Sequence, residues 1–217
     1  MKIKIIILSW LLLAPSISFS QEIFSINGII GYNLYHSDNS LPITRDEDFT
    51  NTFGLAVGYK FDLSEEFGLK IEGGYLSTIV KNVISETYTV EFGTPLEINI
   101  DIIQYSFPID ITVTRKLFTL FEYGLGVSVE GINREVKLNK NYEPNLFEDK
   151  LNMLSIGGNA IFGLSYQIPS IEKFSIVANI KLRYLFSVWE NDKGRDLNNY
   201  NHKFFQGNIS VGLGYKL

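Results

Sequence analysis

The stretch Phe174-Ser175-Ile176-Val177-Ala178-Asn179-Ile180-Lys181-Leu182-Arg183-Tyr184-Leu185-Phe186-Ser187-Val188 decides the fold. Its even positions are all apolar or aromatic: Phe174, Ile176, Ala178, Ile180, Leu182, Tyr184, Phe186 and Val188. Its odd positions carry Ser175, Asn179, Lys181, Arg183 and Ser187. Side chains alternate between the two faces of a strand, so a period of two over this length means one apolar face and one polar, charged face.

The same split recurs along the chain. Phe53 to Phe61 sets Phe53, Leu55, Val57, Tyr59 and Phe61 against Gly54, Ala56, Gly58 and Lys60, and Phe67 to Ile79 sets Phe67, Leu69, Ile71 and Tyr75 against Gly68, Lys70, Glu72, Gly74 and Thr78. Leu117 to Val129 opposes Phe121, Tyr123, Leu125, Val127 and Val129 to Glu122, Gly124, Gly126 and Ser128, with Phe118 and Leu120 out of phase. Phe205 to Leu217 repeats the pattern, and Phe24 to Leu34 and Leu154 to Tyr166 follow it less regularly. The remaining strand, Ile98 to Val113, is apolar at even positions up to Ile102 and at odd positions from Ile103. An extra residue in this strand, a β-bulge at Ile102-Ile103, would produce such a phase change. The expectation is therefore an all-β chain of eight strands.

The links between them are unequal. Asp62 to Glu66, Thr114 to Lys116 and Gln167 to Lys173 are short, whereas Ser37 to Thr50, Lys81 to Glu97, Asn133 to Lys150 and Glu190 to Lys203 are longer and polar. Tight turns on one rim, long loops on the other and an even strand count describe an up-and-down transmembrane β-barrel. A soluble eight-stranded barrel alternates too, so volume must decide the direction of the pattern. About five large apolar residues from each strand make roughly forty, too many for an interior that side chains of eight strands just fill. Turned outward, they form the lipid-facing band, and glycine, alanine, serine and a few charges fill the lumen.

This direction accounts for the composition. Of the 217 residues 45% are hydrophobic and 14% aromatic, with 12 tyrosines and 16 phenylalanines, which is more aromatic area than so narrow a lumen could hold. Rings settle at membrane interfaces. Tyr59, Phe61, Phe67, Phe121, Tyr123, Tyr166, Phe174 and Tyr215 fall toward the short-turn end, and Phe53, Tyr184, Phe186 and Phe205 toward the long-loop end, as two girdles. The absence of cysteine removes disulfides and thiolate metal sites, and a net charge of −5 argues against nucleic acid as a partner.

Residues 1–20 read as a signal peptide. Lys2 and Lys4 form a positive start, Ile5 to Leu13 an apolar run and Ala14 to Ser20 a small-residue stretch, too short before Pro15 for a membrane-spanning helix. Residues 21–217 are then one outer-membrane barrel domain, with both termini expected in the periplasm.

Tyr105-Ser106-Phe107-Pro108-Ile109-Asp110-Ile111 resembles the aromatic and apolar-Pro-apolar fourth strand of the small outer-membrane β-barrel family of Bacteroidota that includes PorT-like proteins. Leu120-Phe121-Glu122-Tyr123-Gly124-Leu125-Gly126 is similar to the strand that follows it there. Gly212-Leu213-Gly214-Tyr215-Lys216-Leu217 resembles the terminal strand recognised by the barrel-assembly machinery. Asp110 departs from an apolar position of that family, and Leu217 from a common terminal aromatic. The resemblance implies an integral barrel and no shared catalytic set.

The inward face carries the candidate site. Lys60, Lys70, Lys181, Arg183 and Lys216 face Glu72, Asp110, Glu122 and Glu130, a near balance that low dielectric requires to be paired. The expected outcome is a salt-bridged, plugged lumen in a noncatalytic barrel. Its partners would be outer-membrane lipid, the assembly machinery during biogenesis and a protein at the outer loops, where Asp38, Arg45, Asp46, Glu47 and Asp48 lie together. Two other activities stay open: a lipid- or peptide-acting hydrolase at the rim, and a narrow ion-conducting pore. His36, His202 and Asp38 are a minimal and weak metal set, since solvated loop histidines are commoner. No phosphate-binding glycine loop, zinc-protease or calcium-loop pattern appears, and no cofactor is expected.

Overall fold

The computed structural model describes residues 22–37, 50–88, 95–118, 120–138, 149–191 and 202–217. Eight strands run through them: β1 (Glu22–Ser37), β2 (Thr50–Asp62), β3 (Phe67–Tyr88), β4 (Pro95–Lys116), β5 (Phe121–Leu138), β6 (Asp149–Gln167), β7 (Phe174–Asn191) and β8 (His202–Lys216). Each pairs antiparallel with its sequence neighbour, and β1 pairs with β8 to close the sheet into a barrel. Closure satisfies every edge, the condition for crossing hydrocarbon with strands. The signal peptide expected over residues 1–20 lies outside the described residues.

The direction of the alternation is as the volume argument requires. Ser25, Asn27, Lys70, Glu72, Asp110, Thr112, Ser128, Glu130, Lys181 and Arg183 are buried inside, while Ile30, Leu55, Phe107, Leu125, Ile180 and Val211 are exposed outside. Leu125 is 71% exposed and Ile30 62%, and their counterparts on every strand join into a continuous apolar belt. A belt of that extent in water would be an association surface; around a closed barrel it is the surface for lipid. Aromatic pairs sit within it at the short-turn side, Tyr59–Phe61 at 4.6 Å and Phe174–Tyr215 at 5.1 Å between ring centroids.

Some local expectations are corrected. The phase change at Ile102-Ile103 is not a bulge in β4, which pairs with β5 without interruption from Ile100 to Lys116. The extra residue is on the other strand: β3 shifts register against β4 between Val80 and Val83. A bulge alters the phase only of the strand that carries it. A second shift lies between Leu154 and Ser155 of β6, opposite Trp189 and Ser187, so that Val188 is the additional residue on β7. The β4–β5 turn falls at 117–120 rather than at Thr114 to Lys116, because β4 keeps pairing as far as Lys116–Glu122. This is why Phe118 and Leu120 were out of phase. The long connections are also shorter than expected, since β3 and β4 stay paired up to Tyr88–Pro95.

Close approach of neighbouring strands explains two glycines. A Cβ on Gly157 would lie 1.9 Å from the Tyr184 carbonyl oxygen, and one on Gly212 equally close to that of Ile26. The tightly coiled wall of a narrow barrel leaves no room there for a side chain.

Candidate functional site: a charged lumen

Sequence register alone creates an electrostatic problem. Glu72 of β3 is directly opposite Asp110 of β4 on the inner face, and Lys60 of β2 is directly opposite Lys70 of β3. Like charges facing each other across strands repel, more so when water is excluded. The solution comes from the far wall. Lys181 of β7 reaches across the bore, donating to Glu72 Oε1 and, at 2.6 Å, to Asp110 Oδ2. Arg183, two residues along β7, donates from Nε to Asp110 Oδ1 at 3.0 Å and from Nη2 to Oδ2 at 2.5 Å, a fork on one carboxylate. Ser128 donates to the same carboxylate at 2.5 Å. Lys70 completes the group through Glu72 Oε2 at 3.0 Å.

The group extends through a neutral relay. Arg183 Nη1 donates to Gln206 Oε1 at 3.3 Å, and Gln206 Nε2 donates to Glu130 at 2.9 Å. Asn159 braces the wall beside it, accepting from Thr112 and donating to Ser128 and the Val127 carbonyl. All six ions, Lys70, Lys181 and Arg183 with Glu72, Asp110 and Glu130, are buried, so three positive charges meet three negative ones. Lys181 and Arg183 hydrogen-bond directly to Glu72 and Asp110, Lys70 is ion-paired with Glu72, and Glu130 joins through Gln206, an arrangement that offsets the penalty an unpaired ion would carry in low dielectric.

Toward the short turns lies a second group. Lys60 donates to Glu122, and Asp62 is 2.9 Å from Lys116 and 3.9 Å from Lys60. The central ions and this group contain Lys60, Lys70, Glu72, Asp110, Glu122, Glu130, Lys181 and Arg183 from the sequence expectation. Lys216 is at the mouth instead, on the rung of Ile23 and Lys60. Asp62 and Lys116, which by residue type read as turn positions, instead close β2 and β4. Parity could have found them, since Asp62 continues the phase of Gly58 and Lys60, and Lys116 that of Thr112 and Thr114.

Toward the long connections apolar side chains enter the lumen beside the buried Thr52, Thr78 and Gln104. Ile132, Met153 and Leu185 form one buried cluster and Ile29, Ala56 and Leu76 another. Leu76 follows Glu72 along β3, Ile132 follows Glu130 along β5 and Leu185 follows Arg183 along β7. The lumen therefore holds two apolar clusters beside its ions. This corrects the expectation of an interior made only of small and charged residues. A thoroughly filled bore of this kind matches the narrowness of an eight-stranded barrel.

The outer membrane protein OprG of Pseudomonas aeruginosa has a similar structure, with a TM-score of 0.52 at 14% identity over 91% of this chain and 95% of that one. The fold is that of an outer-membrane barrel. Ail of Yersinia pestis, solved with the heparin analogue sucrose octasulfate, aligns over 91% of this chain and 99% of its own at 12% identity and a TM-score of 0.48. Neisserial surface protein A aligns over 90% and 97% at 11% and 0.48. By sequence, no family model and no curated protein matches the chain.

At the other end of the barrel, His36 pairs in register with Lys203, and His202 with Ser37. The two histidines thus occupy adjacent rungs of the β1–β8 seam rather than a shared one. Asp38 and the acidic group Arg45 to Asp48 lie outside the described residues. Among the described residues no three histidines, cysteines or carboxylates come together as a metal-ligand set.

Proposed function

We propose that the protein is an integral outer-membrane barrel without catalytic activity, its lumen closed by its own ions, and that its long connections serve as structural or partner-binding surfaces. The observation that carries this is Lys181, which spans the bore from β7 to the facing carboxylates of β3 and β4. A group that ties opposite walls together occupies the path an ion would need, and it commits the buried charges to one another rather than to a substrate.

The same reading puts the short turns and both termini in the periplasm after removal of residues 1–20, as even-stranded barrels of this design have them. Lipid is the partner of the apolar belt, and the terminal strand through Tyr215-Lys216-Leu217 is the segment offered to the assembly machinery. PorT-like membership is a proposal resting on Tyr105 to Ile111 and Leu120 to Gly126.

Outer-membrane fractionation combined with gel mobility before and after heating tests insertion. The expected product co-fractionates with outer membrane and migrates faster unheated than heated. A soluble periplasmic product with one mobility would overturn the proposal.

A further inference from the structure

The mouth at the short-turn end holds a cavity of about 380 Å³, a size that suits a small organic ligand. Its ionic groups do not cancel: four lysines, Lys60, Lys116, Lys173 and Lys216, line it with three carboxylates, Asp62, Glu122 and Glu172. Asp62 and Glu122 are already engaged by Lys116 and Lys60. Lys173 turns its ammonium over the Tyr215 ring at 5.6 Å, and Glu172 is exposed to solvent. Lys216 is left. It lies on the inward phase of β8 beside Ile23, is half-buried, and has no carboxylate partner among the described residues.

Neutral donors and apolar surface accompany it. Ser165 of β6 and Ser175 of β7 line the same cavity, as do Ile23 and, from the β4–β5 turn, Phe118 and Leu120. Phe118 is 73% exposed, more than any other large apolar side chain among the described residues. None of the described residues covers it. A half-buried lysine in a cavity that hydroxyls also line attracts an oxyanion, and exposed apolar side chains at the same cavity favour one with an apolar body.

We propose that this mouth binds a small amphiphilic anion. Its carboxylate or phosphate pairs with Lys216 and the hydroxyls of Ser165 and Ser175, and its apolar part lies against Phe118, Leu120 and Ile23. The site depends only on the barrel and not on which compartment its mouth faces.

The test uses the full-length barrel in phosphatidylcholine nanodiscs, with phenyl phosphate, benzoate, inorganic phosphate and neutral benzyl alcohol titrated separately while backbone amide shifts are followed by NMR. Saturable shifts at Ser165, Ser175 and Lys216 are expected with phenyl phosphate, benzoate or both; which of them binds distinguishes phosphate from carboxylate recognition. Lys216→Gln should weaken binding by about tenfold, a loss of ~1.4 kcal/mol, and Lys216→Arg should retain it. Phe118→Ser should weaken the aromatic anions while leaving inorganic phosphate unaffected. Unchanged heat-dependent mobility of each variant establishes that the barrel is intact. Binding of benzyl alcohol as strong as that of the anions, or anion binding unaltered in Lys216→Gln, would overturn the proposal.

Discussion

The two halves of the lumen solve the same packing problem by different means. Toward the short turns, Glu72, Asp110, Lys181 and Arg183 fill the bore with ions that need particular partners. Toward the long connections, Leu76, Ile132, Met153 and Leu185 enter it among neutral polar side chains such as Thr52, Thr78 and Gln104, and these apolar groups need only the right volume. The difference lies in tolerance. An apolar residue can be exchanged for another of similar size at small cost, whereas an ion that loses its partner is left charged in a medium that does not solvate it.

The largest effect is therefore expected at Asp110. Asp110→Ala leaves both Lys181 and Arg183 short of an acceptor and should cost about 3–5 kcal/mol in reversible urea unfolding from lipid vesicles. A loss as small as that of an exposed substitution would break the distinction between the halves. In the apolar clusters, Leu185→Ala should cost about 2–4 kcal/mol by the same measurement, set by the cavity left behind. Leu185→Met should cost less than about 1.5 kcal/mol, and a larger penalty would mean that this half, too, demands particular partners.

The outer wall provides the reference. Leu125→Arg puts a charge on the lipid-facing belt and should cost roughly 2–4 kcal/mol near the midplane, falling toward the interfaces. Its effect should vanish in a variant that cannot insert, which separates belt from lumen. The smallest effect belongs to Glu66→Gln. Arg115 and Glu66 pair at 3.0 Å outside the barrel with both side chains half or more exposed, so unfolding midpoints should not move measurably.

The contrast between the halves also explains what could be read from sequence. Alternation identifies the strands and the lipid-facing side wherever one face is apolar and the other is not, as from Phe174 to Val188. It is blind where both faces are apolar. Val177 and Leu185 on β7, Leu76 on β3 and Ile161 on β6 all point inward among outward apolar neighbours, and nothing in their composition marks them. Charges are visible because the lipid face excludes them, so Lys60, Glu72, Asp110 and Lys181 could be assigned to the lumen in advance. Which ion meets which depends on strands far apart in sequence: Glu72 and Lys181 are separated by 109 residues and meet only because the barrel closes. Register shifts were hidden for a related reason. The residue added between Val80 and Val83 is defined by pairing with β4, and a strand read alone does not contain that information.

At strand ends ladder pairing outlasts alternation. Asp62 and Lys116 looked like turn residues by type, yet each remains on the inner face and they bond each other at 2.9 Å. Polar residues at a strand end are ambiguous between a solvated turn and a lumen mouth, and only the partner strand resolves them.

The central claim is that the ions of the short-turn half close the lumen. Planar-bilayer recording on the purified barrel tests it most directly. No steady conductance is expected at either polarity for the unmodified protein, and steady, ion-selective steps would contradict a closed lumen.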